Sequence, residues 1–238
     1  MQLWGLQKSD YVLLSEQHHP SVMRALKLLM CCVLLAGNVS KAASNLLING
    51  SFEDPVVSST TNFTGSFSFS GWSGVASGGS GNPEIVPGVS FGLAPTDGNQ
   101  AFAFNAGDSS SGSYLEQSFS TSPVQLYTLR FDLGRDNGFP AELLKVEVEL
   151  FDSTSTHPFS TFQFSPPASI AYSTDQFAFN PISSSTRIRF TDISGSNPDT
   201  DLFIDNISIT QGVPEPSFAA FAVGALLASR LASGRRSR

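Results

Sequence analysis

The feature of this sequence that most restricts its fold is a strict alternation of apolar and polar residues. The clearest run is Leu144, Val146, Val148 and Leu150, interleaved with Lys145, Glu147 and Glu149. Successive side chains of a β-strand point to opposite faces, so a period of two places one face in a core and the other in water. Residues 127–133 have the same pattern, and pairs of phenylalanines two positions apart mark further strands.

Turn-forming clusters such as Asp136-Asn137-Gly138 and residues 194–198 separate these runs, and no segment has a sustained helical period. The 170 residues from 43 to 212 are enough for one domain with a sizeable core. About nine or ten short strands are expected in this stretch. We predict an all-β fold, an antiparallel β-sandwich of the jelly-roll type.

An apolar segment precedes the predicted domain, and residues 23–42 have the layout of a signal peptide. Met23-Arg24-Ala25-Leu26-Lys27 is basic, Leu28 to Gly37 is apolar but too short to span a bilayer, and Ser40-Lys41-Ala42 has small residues where a signal peptidase cleaves. We expect cleavage after Ala42. Residues 1–22 fit no part of such a signal, so we predict that Met23 is the true start and that 1–22 is a mis-annotated or dispensable extension.

The other end of the chain, residues 213–238, has a distinctive order of elements. Val213, Pro214, Glu215 and Pro216 form a rigid turn, residues 218–228 are apolar, and four arginines follow. This order resembles the PEP-CTERM sorting signal of Gram-negative bacteria. The resemblance implies export, a transient transmembrane segment in the inner membrane, and recognition and cleavage by an exosortase. The final location would be the cell surface or the extracellular matrix. We therefore expect a signal helix before the sandwich and a hydrophobic helix after it.

Charge and reactive residues exclude several classes of function. Residues 43–212 contain 17 acidic and five basic residues, a net charge of −12, which repels nucleic acid phosphates. Cys31 and Cys32 lie within the signal segment, so the mature chain has no cysteine for disulfides or nucleophilic catalysis. Its single histidine, His157, precedes Pro158 in an expected surface turn, and no nucleophile motif accompanies it. We predict that the protein is not an enzyme.

Four segments in sequence order carry a second resemblance: the entry Asn45-Leu46-Leu47-Ile48-Asn49-Gly50-Ser51-Phe52-Glu53, the pair Gly71-Trp72, residues 97–101, and the exit 202–209. They resemble galactose-binding-like jelly rolls, a group that includes many carbohydrate-binding modules. In similar modules the glutamate of the entry and the aspartate of the last strand hold a structural calcium ion. The resemblance implies a calcium site at Glu53 and Asp205, with Asp97 as a candidate third ligand. The alternative is that these carboxylates cap turns.

The acidic cluster at 197–201 lacks the glycine and the distal glutamate of an EF-hand loop, so we interpret it as a solvated turn.

A sugar site would need an aromatic platform flanked by polar groups. Trp72 and Tyr127 are expected in the core, which leaves Tyr114 and Tyr172 as candidate carbohydrate-binding residues.

Three functions remain open from the sequence. The favoured one is a non-enzymatic, exported cell-surface or matrix protein. The second is a carbohydrate-binding module that recognises an exopolysaccharide. The third is a secreted glycan-active hydrolase, which would require two facing carboxylates in a cleft.

Overall fold

The computed structural model of the chain describes residues 44–78, 82–90, 92–106, 111–136, 143–195 and 201–212. The predicted extension, the signal segment and the sorting motif Val213, Pro214, Glu215 and Pro216 lie outside the described residues, as does most of the acidic cluster at 197–201. Within the described part of the chain, no helix is long and apolar enough to cross a membrane.

Twelve strands occur in the described residues. They are β1 (Thr61–Asn62), β2 (Ser66–Phe69), β3 (Trp72–Val75), β4 (Asn82–Pro87), β5 (Gln100–Ala106), β6 (Tyr114–Ser120), β7 (Tyr127–Arg135), β8 (Val146–Asp152), β9 (Pro158–Phe164), β10 (Tyr172–Phe179), β11 (Ser185–Asp192) and β12 (Leu202–Gln211).

The strands form two six-stranded sheets in which every pairing is antiparallel. Sheet A has the order β1-β4-β5-β12-β7-β10, and sheet B has the order β2-β3-β6-β11-β8-β9. The predicted antiparallel β-sandwich is confirmed. The strands are more numerous than expected because β1, β2 and β3 have only two to four residues each, too few to show a clear alternation.

The core lies between the sheets and consists of the alternating residues found in the sequence. Leu129, Phe131 and Leu133 from β7 pack with side chains of β8 and β11, and all are fully buried. Tyr127 and Trp72 are also buried, with Trp72 only 2% exposed, as expected. The strand alternation therefore sets which face of each sheet remains outside the core.

Residues 45–57, which we call the entry segment, form no strand but are bound to sheet A. The side chain of Asn45 donates from Nδ2 to the Ile207 carbonyl (2.8 Å) and accepts at Oδ1 from the Ile209 N–H (2.9 Å). The Leu46 N–H donates to the Ile209 carbonyl at 2.9 Å. These bonds satisfy backbone groups of β12 at the point where its regular pairing is interrupted by a bulge.

Sheet B binds the same segment through two other side chains. Gln117 of β6 pairs with the backbone of Ile48 on both sides, accepting its N–H at 2.7 Å and donating to its carbonyl at 3.0 Å. The indole N–H of Trp72 donates to the Asn49 carbonyl at 2.9 Å. The entry segment therefore connects the two sheets of the sandwich.

Gly50 allows this connection because the backbone of β12 approaches it closely. A Cβ atom at Gly50 would lie 1.9 Å from the Ile207 carbonyl oxygen, and the Ile207 N–H donates to the Gly50 carbonyl at 2.8 Å. The glycine at position 50 of the entry segment is therefore required by the close packing of β12.

Gly50→Ala is expected to lower the free energy of unfolding by about 3 kcal/mol or more, because β12 must shift away from the entry segment. Gly195→Ala is the matched control, since a Cβ there meets nothing nearer than 3.6 Å. Its expected effect is within about 0.5 kcal/mol. Urea denaturation of both variants checks this, and similar losses would show that the close approach at Gly50 is unimportant.

Candidate functional site

Asp205 on β12 is fully buried and holds the turn formed by residues 96–100, which we call the clasp turn. Its Oδ2 accepts from the Thr96 N–H (2.7 Å), the Thr96 hydroxyl (3.1 Å) and the Asp97 N–H (3.0 Å). Its Oδ1 accepts from the Asn206 N–H at 2.7 Å. Four donors therefore converge on this one carboxylate.

Glu53 of the entry segment holds the clasp turn from the other side. Its Oε1 accepts from the backbone N–H groups of Asn99 and Gln100, each at 2.7 Å. Gly98 immediately precedes them with φ +79°, and a Cβ there would lie 2.5 Å from the Glu53 carboxyl group. Only glycine fits this turn without strain.

The buried side chain of Gln100 also binds the clasp turn to the entry segment. It donates from Nε2 to the Phe52 carbonyl (2.6 Å) and the Pro55 carbonyl (3.0 Å), and accepts from the Val57 N–H (2.5 Å). The structure thus brings Glu53, Asp205 and the backbone of Asp97 to one turn.

In this conformation the groups around these carboxylates are hydrogen-bond donors rather than the oxygen ligands of a calcium ion. Calcium takes six to eight oxygen ligands, many of them carbonyls, whereas the clasp turn presents N–H groups to Glu53 and Asp205. Asp97 contributes its N–H to Asp205. Among the described residues, no three or more His, Cys, Asp or Glu side chains are placed to hold a metal. The calcium ion implied by the resemblance stays a prediction, and hydrogen bonds account for both carboxylates in this conformation.

Burial raises the pKa values of three acidic residues of sheet A, Asp205, Glu84 and Asp175. Burial raises the pKa of Asp205 to about 6, although the hydrogen bonds from Asp97, Asn206 and Thr96 act in the opposite direction. Burial also raises the pKa of Glu84 on β4 to about 7. Each carboxylate therefore costs stability when it is ionised in the folded protein.

The face of sheet A that points away from the core has four rows of side chains across β12, β7 and β10, which we call the polar face. The strand register gives the rows as Phe203–Gly134–Tyr172, Asp205–Asp132–Thr174, Ser208–Arg130–Gln176 and Thr210–Thr128–Ala178. One end of this face is aromatic, and the remaining rows are mostly hydroxyl, carboxylate, guanidinium and amide groups.

Tyr172 lies against the backbone of β7. A Cβ at Gly134 would lie 2.7 Å from two carbons of the Tyr172 ring, so the glycine makes room for the aromatic side chain. The hydroxyl oxygen of Tyr172 is buried and has no hydrogen-bond partner among the described residues. Burial, with the negative charges of Asp205 and Asp132 nearby, raises the pKa of this phenol. Such an unsatisfied buried group is a place for an internal water molecule.

Asp132 organises the row beside Tyr172. Its Oδ1 accepts from the Thr174 hydroxyl at 2.6 Å, and its Oδ2 accepts from the Asn206 side-chain amide at 2.9 Å. Arg130 lies 3.6 Å from the same carboxylate and donates to the Thr174 hydroxyl at 3.3 Å. Asp132 and Asp205 are cross-strand neighbours, but each already accepts hydrogen bonds, which favours a structural role over acid–base catalysis.

The structure places Tyr114 on the opposite side of the molecule, on the outer face of sheet B. The guanidinium carbon of Arg189 lies 4.3 Å from the centre of its ring, and Arg189 is itself held by Glu116 at 2.8 Å. A cation–π contact therefore already uses this ring. The two candidate tyrosines do not belong to one site.

Sequence reasoning missed the polar residues that accompany Tyr172, namely Arg130, Asp132, Thr174 and Gln176. The available signal was their position between core residues of the same alternating runs, such as Leu129 and Phe131. Alternation shows that such residues point outward, but only strand pairing shows that they are neighbours.

No protein-family model and no curated protein sequence matches the chain. Among solved structures it is similar to TmCBM61 in complex with β-1,4-galactotriose (14% identity, TM-score 0.49, covering 71% of this chain and 100% of that one). It is also similar to a putative sugar binding protein from Bacteroides thetaiotaomicron (12%, 0.46, 71% and 100%). A third similarity is to the CBM22-1 xylan-binding domain of Paenibacillus barcinonensis Xyn10C (15%, 0.39, 73% and 97%). Similarities of this size carry no information about a ligand.

Asp205→Ala is expected to destabilise the fold by about 3 kcal/mol, because it leaves the part-buried N–H donors of Thr96, Asp97 and Asn206 without their acceptor. Asp97→Ala is the matched control, since that side chain is exposed and only its backbone contacts Asp205. The two variants are compared by urea denaturation at about pH 5. This pH is below the raised pKa of Asp205, so the cost of burying a charged carboxylate is small there. Equal losses would contradict the assigned role of Asp205.

The raised pKa of Glu84 gives a pH dependence with a defined sign. Between its ordinary value of 4.5 and its folded value of about 7, the folded protein binds more protons than the unfolded chain. The free energy of unfolding therefore falls as pH rises through this window. Glu84→Gln should flatten the fall in melting temperature between about pH 5 and pH 8. An unchanged slope in the glutamine variant would show that Glu84 is not the group responsible.

Proposed function

We propose that this protein is a non-enzymatic, exported surface or matrix protein whose sandwich domain binds a glycan on the polar face of sheet A. The observation that carries the proposal is the exposed Thr174 hydroxyl, which Asp132 and Arg130 hold in place in the row next to the Tyr172 ring. A sugar has an apolar ring face for aromatic contact and hydroxyl groups that both donate and accept. Its ring would pack against the Tyr172 side chain, and its hydroxyl groups would form hydrogen bonds with the polar row.

The spacing of the polar face suits an extended ligand that runs along the strands. Consecutive rows are two residues apart, which corresponds to ~6.6 Å in a β-strand. Beyond the aromatic row, such a ligand would meet first the exposed Thr174 hydroxyl, and then the Arg130 guanidinium and the Gln176 amide. Arg130 and Gln176 are solvent-accessible planar groups that can each contact two neighbouring hydroxyl groups of a sugar.

Part of this surface is held in place before any ligand binds. The Thr174 hydroxyl is fixed between Asp132 (2.6 Å) and Arg130 (3.3 Å), although the residue is exposed to solvent. Fixed polar groups lose little conformational entropy when they bind, which favours affinity. The domain charge of −12 opposes polyanionic ligands, so we expect a neutral exopolysaccharide as the partner.

The proposed location rests on the two ends of the sequence. Residues 23–42 would bring the chain to the secretion machinery, and residues 213–238 would hold it briefly in the inner membrane. An exosortase would then act at the Val213-Pro214-Glu215-Pro216 motif. The mature sandwich would be left at the cell surface or in the extracellular matrix, where glycans are abundant.

Tyr172→Ala is expected to weaken binding to a neutral polysaccharide at least tenfold, equivalent to about 1.4 kcal/mol, because it removes the aromatic platform. Tyr114→Ala is the matched control: it removes the other candidate tyrosine from the opposite sheet and should leave affinity within about twofold. Affinity gel electrophoresis across galactan, glucan and xylan measures both variants.

Gln176→Ala is a second test, because this exposed residue can be truncated without disturbing the core. Equal weakening by all three substitutions would contradict the assigned site, and no retention of the wild-type chain in any polysaccharide would contradict the proposed function.

A further inference from the structure

One end of the sandwich carries three large apolar side chains that are open to solvent. Val124 and Leu126, in the loop between β6 and β7, are 84% and 49% exposed, and Ile182, in the loop between β10 and β11, is 60% exposed. We call these three residues the apolar end patch. Exposed apolar residues that are close together mark contact surfaces more often than scattered ones do.

The two loops that carry the patch are bonded to each other. Thr121 donates its N–H to the Ser184 carbonyl at 2.9 Å and its hydroxyl to the Ser183 carbonyl at 2.9 Å. The Asn180 side chain donates to the Gln125 carbonyl at 3.1 Å. The three apolar residues therefore belong to a single continuous surface.

Neither loop contains a charged residue, although the domain as a whole carries a net charge of −12. Residues 121–126 and 180–184 include no Asp, Glu, Lys, Arg or His. The adjoining loop at 152–157 contains Asp152, whose Oδ1 accepts hydrogen bonds from the N–H and hydroxyl of Thr154. A surface without charge loses little hydration energy when it approaches an apolar phase.

The described chain also ends at this surface. The Gly212 N–H donates to the Leu126 carbonyl at 2.7 Å, so the tail begins at the patch. Only the five residues 213–217 separate Gly212 from the apolar segment 218–228. Five extended residues reach at most ~17 Å. If the tail enters a bilayer, the patch must lie close to the membrane surface.

We propose that the apolar end patch rests on the surface of the lipid bilayer that holds the tail. This inference depends on the proposed function only in requiring that residues 213–238 insert into a membrane. Val124, Leu126 and Ile182 would then enter the interfacial region, where apolar side chains bind favourably. The long axis of β10 would stand away from the bilayer, with the polar face exposed for a glycan.

The test places an environment-sensitive fluorophore at either end of the same strand. Ile182 follows β10 and Ile170 precedes it, so the two isoleucines are separated by the eight residues of that strand, about 27 Å. The full chain with Cys31→Ser and Cys32→Ser carries one new cysteine, Ile182→Cys or Ile170→Cys, labelled with nitrobenzoxadiazole. Each labelled protein is reconstituted into phosphatidylcholine vesicles with and without brominated lipid.

We expect the emission of the label at residue 182 to shift to the blue and to be quenched by brominated lipid. The label at residue 170 should emit as it does in water. If the chain floats with the vesicles but both labels emit as in water, membrane anchoring holds and the docking surface is wrong. A blue shift at 182 without quenching would mean that protein, such as the tail or a second copy, covers the patch, and would also overturn the proposal. A chain that does not float with vesicles would overturn both the anchoring and this inference.

Discussion

The sandwich is held together by hydrogen bonds between side chains and the backbone of its entry segment. Asn45 binds this segment to sheet A, while Gln117 and Trp72 bind it to sheet B. Buried backbone groups without partners cost about 1–3 kcal/mol each, so the segment is stable only while these side chains are in place. Glu53 and Asp205 extend the same principle to the clasp turn, where both carboxylates accept backbone N–H groups. Residues that are far apart in the sequence are thus fixed to one another.

Much of this fold was predictable from the sequence, and the reason is the alternation of residues such as Leu129 and Phe131. A period of two defines strands and their buried faces, and it correctly placed Tyr127 in the core, whereas Trp72 was correctly placed there by the resemblance of the Gly71-Trp72 pair. The partners of Asp205 could not be found in this way, because N–H groups carry no sequence signal. The polar face was also missed, since the proximity of its residues depends on register between strands that are distant in sequence.

The fold separates three tasks between different surfaces of one domain. The region around the clasp turn stabilises the domain, the polar face of sheet A would offer Tyr172 and a fixed row of polar groups to a glycan in the proposed function, and the apolar end patch lies where the tail begins. Binding at Tyr172 would leave the clasp unaffected, because Asp205 uses its oxygens for the clasp turn. An exported protein with this arrangement could remain bound to a matrix glycan after its membrane tail is removed.

Thermal melting in the presence of a calcium chelator, compared with excess calcium, tests the central claim most directly. The structure shows Glu53 and Asp205 as hydrogen-bond acceptors for the clasp turn, so we expect the same midpoint in both conditions. A calcium ion bound at 100 times its dissociation constant would contribute about 2.7 kcal/mol. That corresponds to a shift of ~5 °C or more in a domain of this size. A fall of that magnitude in the melting temperature on chelation would show that a bound ion, rather than the backbone N–H groups, holds the clasp turn to Glu53 and Asp205.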